Sequence, residues 1–233
     1  MKICLFGITS IATGNHYIKD PRLDQADKLV EAQKKTYAQV VLAGEKELAV
    51  CDAILTSSAA LSDLLMLDLD AVETRLGRDP GEAEKKVLQK MADGLVSETP
   101  VSKMGLTADD LTAISAHSFV TNRPVVVAGE AELATPDVVL VRAFAESGYI
   151  SFLTVGGKEN RAWPIRAGTT AWDAAGTIHT DIQKGFIRAE IISFADFAEA
   201  GGETQAKRAG KVRLELKSYV MHDYDVVNFR FNK

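Results

Sequence analysis

The stretch Gly168-Thr169-Thr170-Ala171-Trp172-Asp173-Ala174-Ala175-Gly176-Thr177-Ile178 decides the C-terminal fold. Thr170 followed three residues later by Asp173 is a capping box, in which hydroxyl and carboxylate take up amides that the first helical turn leaves unpaired. Ala174, Ala175 and Ile178 then recur at helical spacing and give the helix one apolar face. Segments of strand character flank it: Tyr149 to Val155, closed by Gly156-Gly157, on one side, and Phe186 to Phe194, Val212 to Val220 and Asp225 to Phe231 on the other. One helix against a small mixed sheet is a β-grasp arrangement.

Upstream, strands and helices alternate. Lys2 to Phe6 is a short apolar run ending at Gly7, the pattern of a buried parallel strand entering a loop, here Gly7 to His16. Asp20-Pro21 opens a helix with an acid at the cap and proline at the first turn, and Leu23, Ala26, Leu29 and Val30 form its buried stripe. Tyr37 to Leu42 and Ala49 to Leu55 are strand candidates on either side of the polar turn Gly44-Glu45-Lys46-Glu47. A helix from Ser62-Asp63 carries Leu65, Leu69, Val72 and Leu76, breaks at Arg78-Asp79-Pro80-Gly81, and is followed by a second with Val87, Leu88, Met91 and Leu95. The two predict a helical hairpin over about 62–97. Thr107 with Asp110 starts a helix to about His117, Arg123 to Ala128 reads as a strand, and Thr135-Pro136-Asp137 caps a helix that ends at Gly148. The expected fold class is therefore α/β: a parallel sheet with a helical hairpin in residues 1–152, then a β-grasp domain in residues 153–233.

Composition narrows the classes. With 46% hydrophobic and 25% charged residues in 233, the chain reads as an ordinary soluble globular protein rather than a disordered or disulfide-dense one. Its apolar runs, such as Val125 to Ala128 and Val138 to Val141, are far shorter than the roughly 20 residues of a membrane span. The N-terminal run stops at Gly7, too early for a signal peptide, so the expected setting is the cytoplasm. Cys4 and Cys51 sit in apolar segments and read as buried thiols. His16, His117, His179 and His222 lack ligand spacing, and no metal is expected. Residues from Leu153 onward carry a net charge of +2 against −7 for the rest, which suggests two units with different partners.

A family resemblance attaches to these residues. The words Lys158-Glu159-Asn160-Arg161-Ala162-Trp163, Gly168 to Asp181, Lys184-Gly185-Phe186-Ile187-Arg188-Ala189-Glu190, Ala209 to Glu215 and Asp225 to Asn232 resemble the TGS domain of the YchF (Obg-like ATPase) family. The resemblance implies a ubiquitin-like β-grasp fold. Upstream, Asp20-Pro21-Arg22-Leu23-Asp24, Cys51-Asp52-Ala53-Ile54, Asp68 to Leu76 and Phe119 to Val125 are similar, in the same order, to segments of that family's nucleotide-binding domain and helical arm. The whole chain resembles a shortened member, and the resemblance implies a degenerate P-loop NTPase-like sheet in residues 1–152.

The nucleotide motifs are where the chain departs. A P-loop is Gly-x-x-x-x-Gly-Lys-[Ser/Thr], its amides wrapping phosphate, its lysine neutralising it and its hydroxyl holding magnesium. Here Gly7 and Gly14 are separated by six residues, and Asn15-His16 stand in place of the lysine and hydroxyl. The family's Asp-x-x-Gly corresponds to Val41-Leu42-Ala43-Gly44, and its base-reading Asn-x-x-Glu to the asparagine-free Ala128-Gly129-Glu130-Ala131-Glu132. Few residues separate Gly14 from the Asp20 cap, leaving no room for the helix that should follow a P-loop.

Gly7, Thr9, Ser10, Thr13 and Gly14 are thus the candidate anion-binding remnant, against the plainer reading of a polar strand connection. Arg161, Arg166, Lys184, Arg188, Lys211 and Arg213, interleaved with Trp163, Trp172 and Phe186, are the candidate RNA or partner face, although strand alternation distributes neighbours to opposite faces. His179 with Asp181, and His222 with Asp223 and Asp225, read as turn residues rather than acid-base pairs. Asp63, Asp68, Asp70 and Glu73 read as the wet face of a helix. No catalytic residue is expected. The leading expectation is a noncatalytic regulatory or binding protein linked to ribosome or RNA, with no cofactor and no NTP hydrolysis. The alternatives are retained binding of ATP or GTP with Mg through a modified loop, and a structural partner that dimerises through the helical arm.

Overall fold

The computed structural model describes residues 1–232. The chain packs as two compact units, one of residues 1–16 and 40–139, the other of residues 17–39 and 140–233. Its strands are β1 (Lys2–Phe6), β2 (Gly14–Ile18), β3 (Lys34–Thr36), β4 (Ala38–Ala43), β5 (Ala53–Ser57), β6 (Val125–Ala128), β7 (Tyr149–Thr154), β8 (Glu159–Arg166), β9 (Phe186–Ile192), β10 (Arg213–Glu215) and β11 (Val226–Phe231). The helices are α1 (Pro21–Leu29), α2 (Leu61–Leu76), α3 (Glu82–Val96), α4 (Ala108–Ala113), α5 (Glu130–Leu133), α6 (Pro136–Glu146), α7 (Ala171–Ile178), α8 (Thr180–Lys184), α9 (Phe194–Ala200) and α10 (Glu203–Arg208).

The first sheet has the order β2-β4-β1-β5-β6, with β1 parallel to both β4 and β5, and β5 parallel to β6. A strand hydrogen-bonded on both sides in a parallel sheet is apolar along its length, and Ile3, Cys4 and Leu5 are all buried. The helical hairpin forms as the spacing predicts. Leu65 and Val72 of α2 pack with Val87, Leu88, Met91 and Leu95 of α3, and the Arg75 guanidinium clamps Glu84 at 2.7 and 2.8 Å near the turn.

Several expectations for this unit are corrected. The loop from Gly7 ends at Thr13, because Gly14–Ile18 is a strand; as an exposed polar edge it has no apolar alternation to betray it. The strand expected from Ala49 starts only at Ala53, since Glu45–Val50 coils into a 3-10 helix and the Asp52 carboxylate takes the Lys2 amide at 2.8 Å. The helix expected to run to His117 stops at Ala113, just before Ser115 turns its hydroxyl back onto the Thr112 carbonyl. Asp68 does not lie on the wet face of α2. It is 1% exposed and accepts from the Val120 amide (2.6 Å), the Thr121 amide (2.7 Å) and the Thr121 hydroxyl (2.6 Å).

The second sheet has the order β10-β9-β11-β7-β8-β3. β7 and β8 form an antiparallel hairpin, β11 lies parallel to β7 and antiparallel to β9, and β10 closes against β9. Helix α7 opens at Thr170, whose hydroxyl accepts from the Asp173 amide at 3.3 Å and donates to the Asp173 carboxylate at 2.6 Å, so that only the first half of the expected capping box forms. The helix lays Ala171, Ala174 and Ala175 on Phe152, Ala189, Val227 and Phe229. The small alanines bring helix and sheet close enough for the aromatic rings to fill the layer between them.

Here too the chain differs from expectation. Beyond α7 there are three short helices, α8, α9 and α10, too short for a visible apolar stripe but each announced by a local device: the His179 imidazole as cap of α8, the Ser193 hydroxyl as cap of α9, and Gly201 in the left-handed region between α9 and α10. The strand expected over Val212 to Val220 shrinks to Arg213–Glu215 plus a single bridge from Val220 to Thr170. β3, absent from the sequence reading, adds to the sheet in parallel with β8.

Candidate functional site

The loop after β1 is anchored by Ile8 and Ile11, both buried, while Thr9, Ser10 and Thr13 are exposed. Gly7 is at φ +63°, and a Cβ there would stand 2.2 Å from the Ala60 Cβ, so only glycine fits. Its amide donates to the Glu45 carboxylate at 3.0 Å. An anion approaching this amide therefore meets a carboxylate already on it. Gly14, at φ +117°, begins β2, so the loop leads into a strand and not into the N-terminal turn of a helix. The His16 Nε2 closes back on the Ala12 carbonyl at 2.7 Å. The geometry thus gathers Gly7 and Glu45, while Gly14 stands at the far end of the loop. Glu45 carried no sequence signal, being 38 positions from its partner.

The other two motif positions are equally ordinary. Val41 is part of β4, and the Glu132 carboxylate is spent on the Gly129 amide at 3.2 Å, at the start of α5. Among the described residues no three His, Cys, Asp or Glu side chains converge as a metal site would require. Burial pushes the Cys4 thiol up to about 12, which leaves it a protonated packing group.

The six basic candidates do not share one surface. The Arg161 guanidinium stacks 3.9 Å over Trp163 on β8, and Arg166 lies 4.8 Å from the Tyr149 ring. Arg213 of β10 lies 5.7 Å over Tyr219 and donates to its hydroxyl at 2.9 Å. β8 and β10 are four strand spacings apart, roughly 19 Å, so one phosphate cannot bridge them. Arg188 lies opposite Arg230 between β9 and β11, two positions along from Ala189's neighbour Glu190 on the face away from α7. Lys211 is held by Asp196 at 2.8 Å, which raises its pKa, and Lys184 ends α8.

The histidine pairs resolve into local supports. His179 Nδ1 accepts from the Asp181 amide at 3.1 Å. His222 joins a cluster that the sequence reading did not assemble: the Tyr219 hydroxyl donates to buried Asp225 at 2.8 Å, meets His222 Nδ1 at 2.8 Å and accepts from Arg213. Burial and that hydrogen bond to Asp225 raise the Tyr219 pKa well above the ordinary phenol value.

Residues 149–232 match the YchF-GTPase C-terminal family model, described as a protein of unknown function (DUF933). Over a longer stretch the chain is 31% identical to the ribosome-binding ATPase YchF of Haemophilus influenzae, across 73% of this chain and 64% of that protein. Residues 149–232 thus carry the C-terminal domain of the YchF and Obg-like family. Over a shorter stretch of 82 residues the chain is 57% identical to the ribosome-binding ATPase YchF of Escherichia coli O157:H7, covering 35% of this chain and 23% of that one. The fold extends further than the sequence identity does. The structure of the Schizosaccharomyces pombe YchF GTPase aligns with 98% of this chain and 97% of its own at a TM-score of 0.74, with 17% identity. The chain matches 64% of the length of the Haemophilus relative, less than two thirds of it. No helix among its described residues is long and apolar enough to cross a membrane.

Proposed function

We propose that this chain is a noncatalytic binding protein of the cytoplasm, in which the first unit is a degenerate nucleotide domain kept as scaffold and the second carries a TGS domain that engages the translation machinery; the boundary expected at residue 152 moves, because residues 17–39 and β7 from Tyr149 belong with the second unit. The observation that carries this reading is the loop after β1: its first amide is taken by Glu45 and its far end enters β2. A phosphate cradle draws its strength from several free amides, a helix N-terminus and a lysine acting together. With Asn15-His16 in the lysine and hydroxyl positions, neither the γ-phosphate charge nor a magnesium ion has a holder. The sheet order of the second unit, with β7 and β11 as central parallel neighbours under α7, supports the β-grasp assignment. The relatives named ribosome-binding ATPases make the ribosome the first partner to test.

The test is calorimetric titration with ATP and GTP, each with magnesium, beside inorganic phosphate. No saturable heat is expected from any of the three, with dissociation constants weaker than about 1 mM, equivalent to about −4 kcal/mol. Saturable binding of a nucleotide at micromolar concentration would replace this reading with a nucleotide-binding protein that uses backbone amides. Binding of phosphate alone would mean that an anion displaces Glu45 from Gly7.

A further inference from the structure

The second sheet contains an empty strand position. β11 runs from Val226 to Phe231, but its pairing with β7 is limited to Val226 opposite Leu153, and β7 ends at Thr154. β9 occupies the other edge of β11 over its whole length. Because the Leu153 amide donates to the Asp225 carbonyl at 2.8 Å, residues at odd positions turn their backbone groups toward the β7 side. The N–H and C=O of Phe229 therefore face an edge with no strand beside it. Such an edge usually lies under a covering element or carries charge that deters pairing.

Here it opens instead into a cleft of about 400 Å³, with Ile178 and Ile182 on one wall, Ile192 and Val212 on the other, and Val155 at the end where β7 stops. Ile182 and Phe231 also line an adjoining cavity of about 780 Å³, which carries the groove past the end of β11 to Lys184. The charges along it select the occupant. Glu190 is already held by Asn228 (2.9 Å) and Arg230 (2.7 Å), Glu203 pairs with Lys207 (2.7 Å), and Asp181 lies 3.5 Å from His179. A phosphate backbone would meet these acids and gain no free cation inside the cleft. Lys184, at the open end, has no ion pair among the described residues.

We propose that this cleft binds an extended peptide segment of a protein partner, which adds as a strand to the free edge of β11. Its main chain pairs with Phe229, its alternate side chains meet the two apolar walls, and an acidic side chain at one end faces Lys184. This inference concerns the second unit and stands whether or not the first unit binds nucleotide.

The experiment pans the whole chain against a displayed library of random octapeptides, then titrates the synthesised winners by fluorescence anisotropy. Enriched sequences are expected to alternate β-branched or other apolar residues with polar ones and to carry Asp or Glu at one end. N-methylation of the alternate peptide amides that face β11 should abolish binding, whereas methylation of the others should not. Lys184→Glu should weaken acid-tipped peptides about tenfold, or about 1.4 kcal/mol, and exchanging the acid for lysine should restore them. Val155→Arg, at a partly exposed position just past the end of β7, should block the cleft, and an unchanged melting temperature would show that the block is not caused by unfolding. The absence of any enriched sequence, insensitivity to both variants and to N-methylation, or displacement of the peptide by single-stranded oligouridylate would overturn the proposal, the last in favour of RNA.

Discussion

Replacing Asp68 with alanine is expected to lower the stability of the protein by about 3 kcal/mol and its melting temperature by about 6–12 °C. The carboxylate is almost wholly buried, and all three of its partners come from the segment that leads into β6: the Val120 amide, the Thr121 amide and the Thr121 hydroxyl. Thr121 is itself 0% exposed, and its hydroxyl also accepts the Val101 amide at 3.1 Å. Alanine removes the acceptor and leaves donors in a site too tightly packed to admit water freely, which is the costly side of hydrogen-bond energetics. Asp68→Asn should cost about 2 kcal/mol, because one oxygen becomes an NH2 group that confronts an N–H. Asp70→Ala, on the exposed side of the same helix, should stay within about 0.5 kcal/mol of the parent. Thermal melts followed by far-ultraviolet circular dichroism measure all three. Equal melting temperatures for Asp68→Ala and Asp70→Ala would reduce Asp68 to a surface charge.

The same residue marks the limit of what the sequence discloses. Periodicity reads solvent-facing and core-facing positions from hydrophobicity, so a buried carboxylate whose partners lie 52 and 53 positions away is assigned to water. Where the deciding interactions are local, the reading is accurate. Asp20-Pro21 opens α1, the apolar stripe of α3 is buried residue for residue, and Thr170 with Asp173 starts α7. Elements that depend on a distant neighbour are missed: β2 is a polar edge, and β3 is three residues that become a strand only beside β8, 125 positions on at Lys34 and Glu159. The candidate site divides the same way. The missing lysine and aspartate are legible as letters, but the contact of Glu45 with the Gly7 amide and the open edge of β11 arise from how strands end and meet.

Asn160→Ala should be the more damaging change in the second unit, by about 3–4 kcal/mol. Asn160 belongs to β8 and is 0% exposed. Its Nδ2 donates to the Asp27 carboxylate at 2.8 Å and to the Val30 carbonyl at 2.7 Å, and its Oδ1 accepts the Gly156 amide at 2.8 Å. The Val30 carbonyl lies at the C-terminal end of α1, where helical carbonyls lack intrahelical donors, so this amide side chain caps a helix and holds the β7–β8 turn at once. Asn160→Asp keeps the shape but aims oxygen at a carbonyl and a carboxylate, and at neutral pH it should be at least as destabilising as alanine. The chain's two tryptophans, Trp163 and Trp172, both lie in this unit, and Trp163 is in β8 itself, with its indole N–H donating to Thr154 at 3.0 Å. Tryptophan fluorescence in urea should therefore show the midpoint falling by roughly 1 M or more in Asn160→Ala. The parallel pairing of β3 with β8 runs through this position, with Lys35 opposite Asn160, so segment 34–36 should also lose protection from amide exchange in the variant. An unchanged midpoint with β3 still protected would mean that the strand pairing alone holds residues 17–39 to the C-terminal sheet, and that the buried amide merely fills space.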